Sequence, residues 1–253
     1  AVLLALCSPL NPTGTMFTKD QLTEICKLVL EENKKRGENE KPLYLMYDQI
    51  YAMLTFGQEH FNPVSLFPEL KKYTIFIDGT SKCFAATGVR VGWSFGPAAV
   101  IDKMKALLGH VGAWAPKPEQ QAVSTFLNDT ESVEQFVNDF KGKIAESLSV
   151  LHHGIQDMKS RGFAVESIQP MGALYLTIEI DYLGKTKPDG SQILDSSDLV
   201  FYLINEAGVA LVQFSAFGNS RNMPWFRASV GGLSLNEIKK MLPRLENALS
   251  KLS

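Results

Sequence analysis

The chain has 253 residues, enough for a large core in one big α/β domain or in a large and a small one. Hydrophobic residues make up 45% and charged residues 21%, ordinary for a globular protein, and a formal net charge of -2 gives no reason to expect nucleic acid or an anionic membrane as partner. No apolar run is long enough to span a bilayer. Cys7, Cys26 and Cys83 cannot all pair and show no Cys-x-x-Cys spacing, so a reducing, cytoplasmic setting is expected.

The first apolar run, residues 1–7 (AVLLALC), reads as a strand. It has neither a basic leader nor an initiator Met, and a chain that opens inside a buried strand is expected to be a piece of something longer. A Pro- and Gly-rich turn follows over residues 8–15. A helix then starts at Thr18, whose side chain can cap while Gln21 completes a capping box. Leu22, Ile25, Cys26, Val29 and Leu30 recur at helical spacing and should face the sheet. Gly37 and Pro42 bracket a charged surface loop. Further strands are expected over residues 43–47, ending at Asp48, over 73–77, ending at Asp78, and over 91–95. Pro97 suits the first position of a helix carrying Ile101, Met104, Leu107 and Leu108.

An amphipathic pattern over residues 133–158 predicts a long helix connecting two domains. Beyond it the grammar changes. Strands near residues 163–167, 173–180, 209–212 and 226–230 alternate with helices at 197–206 and 235–252, the latter opened by a Ser234–Glu237 capping box. Residues 184–191 read as a polar hairpin tip. The fold class expected is α/β, with a mainly parallel sheet covered by helices in residues 1–139 and a smaller α+β domain in 140–253.

Taken singly, the chemistry-bearing residues have bland readings. Asn11-Pro12-Thr13-Gly14 is a turn, Asp48 is a capping carboxylate, Lys82 is a solvated lysine and Tyr51 is a core tyrosine. Arg227 could point to solvent from its strand. His60, His110 and the His152-His153 pair show no ligand spacing, so no metal is expected. Gly88, Gly92 and Gly96 punctuate a strand and do not open a helix, which excludes a dinucleotide fingerprint.

Order changes that balance. Asn11-Pro12-Thr13-Gly14, Asp48-Gln49-Ile50-Tyr51, Ser81-Lys82, Arg90-Val91-Gly92-Trp93 and the late Arg227 occur in succession across the chain. Gly172-Ala173-Leu174-Tyr175 and Ser215-Ala216-Phe217-Gly218 add two supporting echoes. Together they resemble the class I/II aminotransferases of fold type I, the aspartate aminotransferase-like enzymes that use pyridoxal 5'-phosphate. The resemblance implies that Lys82 holds the cofactor's aldehyde and later moves a substrate proton. It implies that Asp48 keeps the ring nitrogen protonated, and that Tyr51 and Asn11 hydrogen-bond the phenolic oxygen. Ser81 and Arg90 would hold the phosphate. Arg227 would clasp the substrate's α-carboxylate, with Asn11 beside it. The reaction implied is amino-group transfer between an amino acid and a 2-oxo acid on a homodimer.

Two departures stand against the family pattern. A Ser or Thr that usually lies three residues before the lysine is Gly79 here, with Thr80 or Ser81 as substitutes. The part that precedes the Asn-Pro-Thr-Gly segment in the family, including a phosphate-cradling helix N-terminus, is missing from these residues. The chain alone is therefore expected to bind cofactor poorly, to show little activity and to expose sheet edges. Two rival functions remain. One is a fold type I lyase, for example a β-eliminating enzyme, which would release pyruvate and ammonia instead of forming glutamate from 2-oxoglutarate. The other is a non-catalytic binding or regulatory module, in which Lys82 would take no cofactor.

Overall fold

The computed structural model describes residues 1–37 and 40–253, so part of the charged loop expected between Gly37 and Pro42 lies outside the described residues. The chain divides into two compact units. One comprises Ala1–Leu10 and Met16–Lys141, the other Asn11–Thr15 and Gly142–Ser253.

The first unit is built on a sheet of four strands in the order β1-β2-β3-β4. Strands β1 (Leu3–Cys7), β2 (Tyr44–Asp48) and β3 (Thr74–Gly79) run parallel, and β4 (Gly92–Phe95) is antiparallel to β3. Parallel neighbours need a crossover, and helix α1 (Lys19–Arg36) supplies the one between β1 and β2. The expected capping box forms in full: Thr18 accepts from the Gln21 N–H, and the Gln21 side chain accepts from the Thr18 N–H. Leu22, Cys26 and Val29 of α1 are wholly buried against Leu43, Tyr47, Leu70 and Phe76. Each aliphatic side chain so removed from water contributes about 1.5–3 kcal/mol. The helix is also tied to the sheet by Asn33, whose side chain donates to Leu43 O at 2.9 Å and accepts from Leu43 N at 2.7 Å.

A short helix α2 (Pro63–Leu66) precedes β3. Helix α3 (Ala98–Val111) begins one residue later than expected, because Pro97 occupies the cap position. The apolar stripe of α3 is half-buried, while Leu107 and Val111 are largely exposed. Helix α4 (Lys117–Asn128) was not anticipated, and it buries no residue completely. Its apolar residues are too few to set up the periodicity by which helices are read. At the sheet edge β1, Val2 and Leu3 are about half exposed.

Helix α5 (Thr130–Ser160) carries the division between the units. In its second half Ile144, Leu148, Leu151, Ile155 and Met158 are buried in the core of the second unit. That unit has an antiparallel sheet in the order β5-β6-β8-β7. Its strands are β5 (Val165–Ser167), β6 (Tyr175–Ile180), β7 (Val212–Gln213) and β8 (Trp225–Ser229), with helices α6 (Ser196–Ala207) and α7 (Leu235–Leu249). The second expected capping box, Ser234 with Glu237, also forms.

Strand β7 is shorter and later than the pattern suggests. Gly208, at φ 62°, closes α6, and the Val209 N–H returns to Leu203 O, so the apolar run after the helix is spent on its exit. The observed architecture is the α/β class read from the sequence, with a smaller α+β portion. Among the described residues, no helix is long and apolar enough to cross a membrane.

Candidate functional site

In the first unit, two loops meet at the carboxyl ends of the parallel strands β2 and β3. Ligands of open α/β sheets bind outside those ends, where loops diverge. Asp48 ends β2 and is paired with Ile77 of β3. Its Oδ1 accepts from the Ile50 N–H at 3.0 Å, and Oδ2 makes no hydrogen bond among the described residues. Past the end of β3 the chain turns through Lys82, whose carbonyl accepts from the Ala85 N–H at 3.1 Å. Lys82 is half-buried, and its amine has no hydrogen bond or ion pair among the described residues. Lysines leave water seldom, and then most often with a carboxylate partner.

The two loops are fastened to each other. Cys83 Sγ donates to Ile50 O at 3.0 Å, and Gln49 Nε2 donates to Asp78 Oδ2 at 3.2 Å. Burial pushes the Asp78 carboxyl above its ordinary pKa, against hydrogen bonds from the Gly79 N–H and Gln49, and the charge of Asp48 pushes the same way as burial. Tyr51 is buried at the end of the Asp48–Tyr51 loop. Ser81 is half-buried; Arg90 is exposed, and its Nη1 donates to Thr87 O at 2.8 Å. Ala85 at φ 50° and Arg90 at φ 59° both stand in the left-handed region, so the loop after Lys82 holds two non-glycine residues in costly conformations. A cleft of about 890 Å³ in the same unit is lined by Asp78, Arg90, Trp93, Met104, Leu108 and Trp114, without Asp48 or Lys82.

The structure explains the departure at Gly79. This residue is paired with Gly92 across β3 and β4, and a Cβ here would stand 2.9 Å from Gly92 Cα and 3.0 Å from Val91 O. A Ser or Thr would force two backbones apart. Thr80 does not take its place freely, because its buried hydroxyl donates to Val91 O at 3.0 Å.

Asn11 and Arg227 belong to the second unit. The Asn-Pro-Thr-Gly segment is stapled to β6 and the turn before it: Gly14 O accepts from the Met171 N–H at 2.9 Å and the Gly172 N–H at 3.0 Å, and Thr177 Oγ1 donates to Thr13 O at 2.9 Å. Held this way, Asn11 Oδ1 accepts from Arg227 Nη1 at 2.8 Å. Arg227 Cζ lies 4.6 Å from the centroid of the Tyr175 ring and 5.1 Å from that of Phe217. Arg227 Nε is buried without a hydrogen-bond partner. No carboxylate among the described residues pairs with this guanidinium.

The candidate residues thus fall into two groups, Asp48, Tyr51, Ser81, Lys82 and Arg90 in one unit and Asn11 with Arg227 in the other. Chemically, the first group offers an amine with no hydrogen bond or ion pair among the described residues, on a loop fastened to the one that begins at Asp48, and the second an uncompensated planar cation suited to a carboxylate. The aromatic neighbours of Arg227 were not anticipated as such. Their motifs stand out in the sequence, but the left-handed Ala173 (φ 62°) that precedes β6 has no sequence signal.

The profile of the family described as aminotransferase class I and II matches residues 1–245. An aspartate aminotransferase of Bacillus sp. (strain YM-2) is 29% identical over 241 residues, covering 94% of this chain and 55% of the relative. An aspartate/prephenate aminotransferase of Thermus thermophilus is 28% identical over 221 residues, covering 86% of this chain and 50% of the relative. The crystal structure of the aspartate aminotransferase from Rhizobium meliloti superposes with a TM-score of 0.85 at 27% identity, over 100% of this chain and 59% of that one. The chain spans about half the length of the curated relatives it matches. With a family profile that runs over nearly all its residues, the chain belongs to the class I and II aminotransferases.

Proposed function

We propose that this chain is the lysine-bearing part of an aminotransferase that moves an amino group between an amino acid and a 2-oxo acid, with pyridoxal 5'-phosphate as cofactor. The observation that carries the reading is half-buried Lys82, whose amine has no hydrogen bond or ion pair among the described residues, on a loop that Cys83 fastens to the one beginning at Asp48. The donor set fits the group: an amine for the aldehyde, a carboxylate oxygen without a partner for the ring nitrogen, and hydroxyl and guanidinium groups on the loop after β3 for the phosphate. When bound, the cofactor supplies an electron sink for the bond that breaks at the amino acid's Cα.

The rest falls to the chain's own side chains. Asp48 would hold a proton on the ring nitrogen. Tyr51 and Asn11 would donate hydrogen bonds to the phenolic oxygen, and Ser81 and Arg90 would anchor the phosphate. The Lys82 amine, released by substrate, would carry the proton from Cα as general base. Arg227 would orient the substrate through its α-carboxylate, close to Asn11. The whole protein is proposed to be a cytoplasmic homodimer, and the 253 residues alone to carry little activity, since they span about half of the family's length.

Borohydride reduction of the protein incubated with pyridoxal phosphate, followed by peptide mapping, tests the reading. The expected result is a label on Lys82 that is lost in Lys82→Ala. A label distributed over surface lysines, unchanged by that substitution in the whole protein, overturns it.

A further inference from the structure

The surroundings of Arg227 are organised in more detail than carboxylate binding alone requires. On β8, Arg227 is paired with Thr177 of β6, and Ser229 with Tyr175. Tyr175 is thus the diagonal neighbour of Arg227 on the same sheet face, a spacing that long and aromatic side chains bridge. On the other side, β7 pairs Val212 with Arg227, and the chain then turns through a 3-10 segment, Phe214–Phe217, closed by Gly218 at φ 93°. That turn delivers Phe217, itself 39% exposed, to the guanidinium. Two rings and one amide oxygen therefore hold the cation, and none of the three neutralises it. An arginine carries five donors in a rigid fork. Here Nη1 spends one on Asn11, and Nε is buried where no ligand atom reaches it. Nη2 and the second Nη1 hydrogen remain for an anion.

We propose that Tyr175 and Phe217 are positioning residues for Arg227, fixing its guanidinium plane so that a carboxylate is taken end-on, by Nη1 and Nη2, and not along the Nε side. The inference rests on the reading of Arg227 as the group that binds the substrate's carboxylate. A ring face attracts a guanidinium without competing for its in-plane donors, whereas a carboxylate neighbour would occupy the very hydrogens the ligand needs.

The test uses the whole protein, with propionate as the probe and the Arg227 side-chain Nε–Hε resonance as the readout, assigned by its loss in Arg227→Lys. Propionate is expected to shift that resonance saturably. Phe217→Leu should weaken its binding about threefold, the value of one exposed cation–π contact of about 0.65 kcal/mol. Phe217→Tyr and Phe217→Trp should restore it. Tyr175→Phe keeps the ring and should bind as the wild type does, whereas Tyr175→Leu should not. Rescue by any aromatic residue is a result that a purely structural role of Phe217 does not give. If the wild type binds propionate at Arg227 and Phe217→Leu binds equally well, the positioning role is overturned while the carboxylate reading stands. If the wild type shows no response at Arg227, the carboxylate reading fails and takes this inference with it.

Discussion

Replacing Gly14 by Ala probes the contact that seats the Asn-Pro-Thr-Gly segment. Gly14 has φ 69°, and a Cβ there would stand 2.2 Å from Tyr175 O, a backbone atom that cannot rotate away. The left-handed conformation costs a non-glycine residue about 1–2 kcal/mol. Relief of the clash requires the segment to lift by about an ångström, which breaks the bonds from the Met171 and Gly172 N–H groups to Gly14 O. At about 1 kcal/mol for each bond, the total comes to about 3–4 kcal/mol. Gly184, in the same unit, has φ 81° and nothing within 4 Å of a built Cβ, so Gly184→Ala carries only the conformational cost of about 1–2 kcal/mol. Urea unfolding of both variants should therefore differ by about 2 kcal/mol, with amide exchange at Met171 and Gly172 accelerated only in Gly14→Ala. Equal destabilisation of the two variants, or protected Met171 and Gly172 amides in Gly14→Ala, would refute the steric argument.

Three further outcomes are expected. Asn33→Ala leaves the Leu43 N–H and C=O without their partner in the core and should cost about 2–4 kcal/mol in urea unfolding, and Asn33→Asp, which sets a carboxylate oxygen against the Leu43 carbonyl in a buried site, should not recover that cost. Hydrogen bonds from Lys159, then Gln156 and the Ser167 N–H, hold the Glu166 carboxyl down to about 2, so its stabilising contribution is present above the ordinary carboxylate range and is lost as pH falls through about 2. Carbon NMR should show that low midpoint, and Glu166→Gln should lose stability at neutral pH but match the wild type in strong acid; an ordinary carboxylate midpoint contradicts this. Burial pushes the Cys26 and Cys83 thiols up to about 11, so iodoacetamide at neutral pH should modify neither until the chain is unfolded in urea, as read by mass spectrometry.

The elements that the sequence announces are those whose signal is local. Both capping boxes, Thr18 with Gln21 and Ser234 with Glu237, form as read, because a cap depends on side chains within one turn of its own backbone. Strands β1 to β3 follow from short apolar runs bounded by turn residues, and helix α5 from an apolar periodicity repeated over many turns. Helix α4 carries no such signal, because its few apolar residues are never fully buried and no stripe was selected in the sequence. Strand β7 slid because the exit geometry of α6 at Gly208 consumed residues that β-propensity alone would have placed in the strand.

Residue identity and order by themselves determined the family, since each motif constrains chemistry that a few side-chain types can perform. They also singled out Lys82, Asp48 and Arg227 as the residues to watch. Only the tertiary structure decided which groups are neighbours. It placed Asn11 on Arg227 across most of the chain's length, put two rings beside that guanidinium, and made Gly79 a necessity of strands that approach too closely for a Cβ. The physical reason is that hydrogen bonds and ring contacts act over a few ångströms in space, while a sequence records separation only along the chain.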